Sequence, residues 1–109
     1  MTFEAYQKES KKTALYPDVG HNIIYPTLGL CGEAGEVAEK IKKVLRDKMG
    51  VVDEETKRAI KGELGDVLWY ASQLASELGM SLDDIARHNL EKLFSRKNRG
   101  VLKGDGDNR

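Results

Sequence analysis

The sequence predicts an all-α protein, and three observations carry that expectation. Apolar residues recur every three or four positions through most of the chain, the spacing of one helical face. The breaks in that pattern coincide with Pro17, Gly20, Gly50, Gly79 and Gly100, residues that punctuate helices. Aromatic residues make up only 6% of the chain. Leu, Ile, Val and Ala must therefore supply most of the packing, as they do between helices.

A first helix is expected at about residues 2 to 14, with a loop running to about 22. Pro26 falls where a first helical turn tolerates it, since its missing N–H would be unpaired there anyway. From Thr27 to Lys48 the positions Leu30, Ala34, Val37, Ile41, Val44 and Leu45 trace one face of a long second helix, ended by Gly50. Asp53 is suited to cap a third. This helix runs to Leu78 on Ile60, Leu64, Val67, Leu68, Ala71, Leu74 and Ala75, and Gly79 stops it. Ser81 then reads as an N-cap with Asp84 three residues on, an acidic relative of the capping box. Leu82, Ile85, Leu90, Leu93 and Phe94 carry a fourth helix to about Asn98. The segment 101–109 is too rich in Gly, Asp and Asn to be helical alone, and is expected to be a flexible tail behind a single domain of residues 1–100.

At 109 residues, one hydrophobic core is the expectation. Eighteen Lys plus Arg balance eighteen Asp plus Glu, leaving no one-sided basic field of the kind that nucleic-acid binding needs. No apolar run approaches the roughly 18 residues of a membrane span, and the polar start MTFEAYQ lacks the apolar core of a signal peptide. A cytoplasmic protein is expected. The single Cys31, flanked by Leu28, Leu30 and Ala34, reads as a small buried apolar side chain.

One motif is repeated. Gly32 to Val37 (GEAGEV) and Gly62 to Val67 (GELGDV) differ only by Ala34 for Leu64 and by Glu36 for Asp66. Each mid-helix glycine costs about 1 kcal/mol relative to alanine, so close approach by another backbone or by a ligand is the expected reason for keeping them. Residues at i and i+3 point the same way on a helix, which groups Glu33 with Glu36 and Glu63 with Asp66. If the two long helices form an antiparallel hairpin, pairing Glu33 with Asp66 and Glu36 with Glu63 implies one shared register. Its midpoint falls between Met49 and Gly50, where the turn is independently expected.

Four like charges that close repel strongly, and a divalent cation relieves them better than protonation of several. An all-oxygen set without His or Cys suits Mg²⁺ or Mn²⁺. Such an ion keeps positions open for phosphate oxygens, so a nucleoside triphosphate is the natural substrate class. An ordinary solvated face is the competing explanation, with Glu36–Lys40 and Glu39–Lys43 as i,i+4 pairs. Against it, Glu33, Glu63 and Asp66 are followed at i+4 by Val37, Val67 and Tyr70 rather than by a base.

Glu33, Glu36, Glu63 and Asp66 resemble the E-x-x-E and E-x-x-D signature of the MazG-like all-α nucleotide pyrophosphohydrolases. The likeness extends through Leu28 to Lys40 (LGLCGEAGEVAEK), Glu63 to Tyr70 (ELGDVLWY), Asn89 to Leu93 (NLEKL), Arg96 and Arg99 with Gly100. The resemblance implies Mg²⁺-dependent hydrolysis of a (deoxy)nucleoside triphosphate between its α- and β-phosphates, giving the monophosphate and pyrophosphate, in a nucleotide house-cleaning role. It implies that the four acids hold the metal and that Glu33 or Glu36 orients the attacking water. It also implies a homodimer or homotetramer. Self-association is expected on packing grounds too, because two long and two short helices cover only part of the apolar surface of the third.

Asn89, Lys92 and Arg96 form one stripe at i, i+3 and i+7, able to contact phosphate or sugar oxygens. A solvated basic helix end is their bland alternative. Tyr70, one turn beyond Asp66, resembles a family position near the nucleotide. Trp69 is expected to stack a base or to pack against a second subunit. His21 and His88 receive no role. A di-iron carboxylate site would draw on Glu-x-x-His spacing, and no histidine falls three residues after Glu33 or Glu63. A catalytically silent helical dimerisation module that binds divalent metal remains the alternative function.

Overall fold

The computed structural model describes all 109 residues. It contains α1 (Phe3–Lys11), α2 (Ile24–Asp47), α3 (Glu54–Glu77) and α4 (Leu82–Asn98), and no strand. The all-α expectation is therefore met.

Three of the helix starts are capped by a side chain that accepts from a backbone N–H left free in the first turn. Thr2 accepts from Ala5 N at 3.0 Å, Asp53 from Thr56 N at 2.8 Å and Ser81 from Asp84 N at 3.2 Å. α2 begins three residues earlier than its periodicity suggests. The cause is Asn22, whose Oδ1 accepts from Ile24 N at 3.1 Å and Tyr25 N at 2.9 Å, and so caps a first turn that contains Pro26. α1 stops short of the expected residue 14. Lys12, Thr13 and Ala14 each donate to the carbonyl three residues back, a tighter winding than the α-helix, as the chain turns toward Pro17.

α2 and α3 form the antiparallel hairpin, turned at Met49 and Gly50, both with positive φ (54° and 77°). α1 packs on α3 and α4 through polar side chains. Ser72 and Gln73 are almost fully buried: Ser10 Oγ lies 3.1 Å from Ser72 Oγ and accepts from Gln73 Nε2 at 2.9 Å. Gln7 extends this seam, donating to Ser76 Oγ and to the Met80 carbonyl and accepting from Leu82 N at 2.8 Å. Burying these groups is tolerable only because they satisfy one another.

The apolar core is small. Ala14, Tyr16, Val44, Ala75 and Leu82 are its buried hydrophobic members, while Leu28, Leu64, Leu90 and Phe94 are each more than half exposed. Cys31, expected inside, is exposed. It lies two residues from Glu33, about 200° around the helix from the face turned to α3. No helix is long and apolar enough to cross a membrane.

The segment 101–109 forms no helix and folds back on α4. Arg109 donates to the carbonyls of Val101, Leu102 and Gly106, and Arg99 donates to the Arg109 carbonyl at 2.8 Å.

Candidate active site

The hairpin register brings acids from both long helices together. One carboxylate oxygen each from Glu33, Glu63 and Asp66 lies within 4.8 Å of the others. Glu33 and Glu63 are half-buried and Asp66 is exposed. Glu36 is exposed and stands outside this trio, so the structure joins three of the four acids singled out in the sequence, with the fourth one turn away along α2.

At this separation the acids perturb one another. Glu33 holds its proton above the usual carboxylate range, first because it donates a hydrogen bond to Glu63 and then through burial and the charges of Asp66, Glu63 and Glu36. Glu63 is correspondingly held below that range, by the Glu33 hydrogen bond and by Lys40. Lys40 Nζ lies 3.1 Å from Glu63 Oε1. The expected Glu36–Lys40 pair along α2 is thus replaced by one across the hairpin, whereas the Glu39–Lys43 pair is present at 4.0 Å. Lys40 is paired by the i,i+4 rule only along its own helix, with Glu36. Its place two turns after Glu33, on the same face, was the available signal.

Three oxygen donors converging from opposite helices, with no His or Cys among them, fit a hard divalent cation. The raised Glu33 carboxyl and the ammonium of Lys40 beside Glu63 both follow from the negative charge gathered at this point.

Beside the acids lies an aromatic wall. Tyr70 packs on the backbone of α2 at Gly29, where an added Cβ would come within 2.1 Å of the ring. Its hydroxyl is held above the ordinary phenol range, first by burial, then by Tyr25 and by the negative charge of Glu33 and Asp66. Tyr25 stacks on Tyr16 with centroids 5.0 Å apart. Trp69 stands edge-on to Tyr70 and to Tyr16 and donates from Nε1 to Thr13 Oγ1 at 2.8 Å. Trp69 therefore packs within its own chain, in place of the base or second subunit expected from its side of the helix. The missed element was the segment Thr13–Tyr16, which returns over α3 after α1 ends early. Around the repeat, Gly32, Gly35, Gly62 and Gly65 would each accept a Cβ without contact, so no backbone of this chain explains them.

The stripe on α4 lies elsewhere in the subunit. No Cα of α4 comes within 8 Å of α2. Asn89 is exposed, Lys92 is half-buried and Arg96 is buried, and the last two bind Asp107 of the terminal segment. Within one subunit, Tyr70 borders the acids, while Asn89, Lys92 and Arg96 are not joined to them.

With this geometry in view, comparison with known proteins is decisive. The family model described as the MazG nucleotide pyrophosphohydrolase domain matches residues 25–101. The chain belongs to the MazG family. The matched span covers α2, α3 and α4 with the acids, Tyr70 and the α4 stripe, and omits α1. The chain is also 48% identical to the Gene 37 protein of Mycobacterium phage L5, over an alignment that covers both chains completely. No solved structure matches it. MazG membership carries with it a nucleotide pyrophosphohydrolase lineage and agrees with the all-helical architecture.

Proposed function

We propose that the protein is a Mg²⁺-dependent nucleoside triphosphate pyrophosphohydrolase that cleaves (deoxy)nucleoside triphosphates to the monophosphate and pyrophosphate, in a cytoplasmic house-cleaning role. The observation that carries this reading is the convergence of Glu33, Glu63 and Asp66 from two helices within 4.8 Å, in a chain whose matched family is named for this activity. Glu33, Glu36, Glu63 and Asp66 are the ligands for Mg²⁺, with Mn²⁺ an acceptable substitute by its similar hardness. The bound ion supplies Lewis acidity and charge neutralisation, without which a polyphosphate cannot approach a carboxylate cluster.

The protein's own groups do the rest. Glu36, exposed and outside the trio, is free to accept a hydrogen bond from a water directed at the α-phosphorus, and Glu33 is the other candidate for that task. Tyr70 forms a wall for the sugar or base. Asn89, Lys92 and Arg96 take phosphate or sugar oxygens; because α4 does not reach α2 within the subunit, this role calls for a homodimer or homotetramer in which α4 of one copy faces the acids of another. Residues 1–100 form the catalytic domain and 101–109 an appended tail.

The test is a panel of ribo- and deoxyribonucleoside triphosphates with Mg²⁺ and detection of released pyrophosphate. Turnover of at least one triphosphate is expected. Glu36→Gln and Asp66→Asn should each reduce it by about 10²- to 10⁴-fold. No release from any triphosphate, with Mg²⁺ or Mn²⁺, would leave the second reading, a catalytically silent dimerisation module that binds metal. The exposed Leu28, Leu64, Leu90 and Phe94 favour that reading's helical association.

A further inference from the structure

One recess of the molecule is lined mainly by basic side chains and is partly occupied by the chain's own terminal segment. His88, Lys92, Ser95 and Arg96 of α4, its C-cap Arg99, and Asp107, Asn108 and Arg109 line an open pocket of about 250 Å³ with no hydrophobic residue in its wall. Lys92 Nζ lies 2.9 Å from Asp107 Oδ1, and Arg96 Nη2 lies 3.3 Å from the same oxygen while also donating to the Asp107 backbone carbonyl. Arg96 is only 5% exposed, and its Nε is buried without any acceptor. Lys92 and Arg96 thus share a single carboxylate, while Arg99 and Arg109, which also line the pocket, bind Ser95 Oγ and backbone carbonyls. A guanidinium that is mostly desolvated yet short of acceptors is better satisfied by an oxyanion with more oxygens, because Arg matches phosphate as readily as carboxylate.

The backbone before Asp107 bends at two glycines. Gly104 and Gly106 have φ of 143° and 86°, conformations that L side chains rarely adopt, and they bend the segment back toward α4. A Cβ on Gly104 would also press on Arg109 Cδ at 3.3 Å.

We propose that Asp107 is an internal competitor of phosphate at Lys92 and Arg96, so that the segment 101–109 is a latch that a polyphosphate must displace in order to bind. The choice of phosphate as the displaced ligand's rival rests on the function proposed above. Being tethered, the carboxylate acts at an effective concentration that a free anion must exceed. Lys92, and then Arg96, hold the Asp107 carboxyl below the usual carboxylate range, which keeps the latch charged at neutral pH.

The experiment is isothermal titration of inorganic pyrophosphate into the full-length chain, without metal, for wild type, Asp107→Asn and Asp107→Ala. A latch closed about nine-tenths of the time lowers apparent affinity about tenfold, so both variants should bind about tenfold more tightly. Lys92→Gln should weaken binding most in the Asp107→Ala background, because in wild type the same substitution also loosens the latch. As a second readout, the ¹³C carboxyl resonance of Asp107 should move toward its free position when pyrophosphate is added to wild type. Unchanged or weaker binding in the Asp107 variants overturns the latch, as does binding of pyrophosphate with no movement of that resonance. The outcome is separable from that of the proposed activity. An inactive protein whose affinity rises in Asp107→Ala keeps the latch and loses the enzyme, and an active one with unchanged affinity does the reverse.

Discussion

A methyl group on Gly29 would lie 2.1 Å from Cε1 of Tyr70, so the ring of one long helix rests directly on the backbone of the other. This pair obeys the same antiparallel register as Glu33 and Asp66, and lies one helical turn farther than they do from the turn of the hairpin. The close approach of the helices and the convergence of the acids are therefore one geometric fact. Gly29→Ala gains about 1 kcal/mol of helix propensity but overpacks the contact, at a cost of about 1–3 kcal/mol. We expect the melting temperature to fall by several degrees, and the Michaelis constant for triphosphate to rise as the ring is pushed toward the acids. A variant as stable as wild type with unaltered kinetics would show that the ring moves aside freely.

What the sequence disclosed was what depends on neighbours along the chain. Helical periodicity, the Asp53 and Ser81 caps and the i,i+3 acid pairs are local, and the hairpin register followed from two copies of one motif. Two features that stayed hidden need a third segment: Trp69 finds its partner on Thr13, and Arg96 finds Asp107. The Lys40–Glu63 pair needs only the hairpin, but it crosses between helices where the i,i+4 rule looks along one. Cys31 was misplaced for a related reason. Its apolar neighbours are adjacent in sequence but point around the helix, and in this thin subunit little beyond the α3-facing side of α2 is covered.

The acid trio predicts a link between metal and stability. Removing one of three converging carboxylates relieves repulsion, so Asp66→Asn should melt no lower than wild type when a chelator is present. Adding Mg²⁺ at about 100 times its dissociation constant should stabilise wild type by about 2.7 kcal/mol. Asp66→Asn should lose most of that response. Thermal melts with chelator and with Mg²⁺ decide the matter, and a wild-type transition indifferent to both Mg²⁺ and Mn²⁺ would remove the metal from the site.

Glu77 ties the loop before α2 to the end of α3. Its carboxylate accepts from Tyr16 Oη at 2.5 Å, Gly20 N at 2.9 Å and Asn22 N at 3.2 Å. The Tyr16 hydroxyl, followed by the two amides, holds the carboxyl below its ordinary range. A carboxyl whose folded pKa is depressed binds fewer protons in the native state, so its stabilisation is complete above the unfolded value, about 4.3, and is lost as pH falls through the folded value. Glu77→Gln should therefore cost about 1–2 kcal/mol at pH 7, with a smaller deficit in acid. Urea unfolding of both proteins at pH 7 and pH 3 tests this, and a deficit of equal size at both would mean that the charge is not what anchors the loop.

The exposed apolar side chains make the last prediction. Five buried hydrophobic residues are a meagre core for a chain of this length, while Leu28, Leu64, Leu90 and Phe94 are 66%, 54%, 55% and 57% exposed. Surface of this kind is normally covered by another chain, and α4 must meet α2 of another copy if Lys92 and Arg96 are to serve the acids. Sedimentation velocity should therefore find a dimer or tetramer at micromolar concentration. Leu64→Glu and Phe94→Glu should each shift it toward monomer and lower the melting temperature in a concentration-dependent way, since folding and association are then linked. Turnover should fall with the oligomer and return as protein concentration is raised. A monomeric wild type that hydrolyses triphosphates at full rate would show that the acids need no second copy, and would leave the α4 stripe without a part in the reaction.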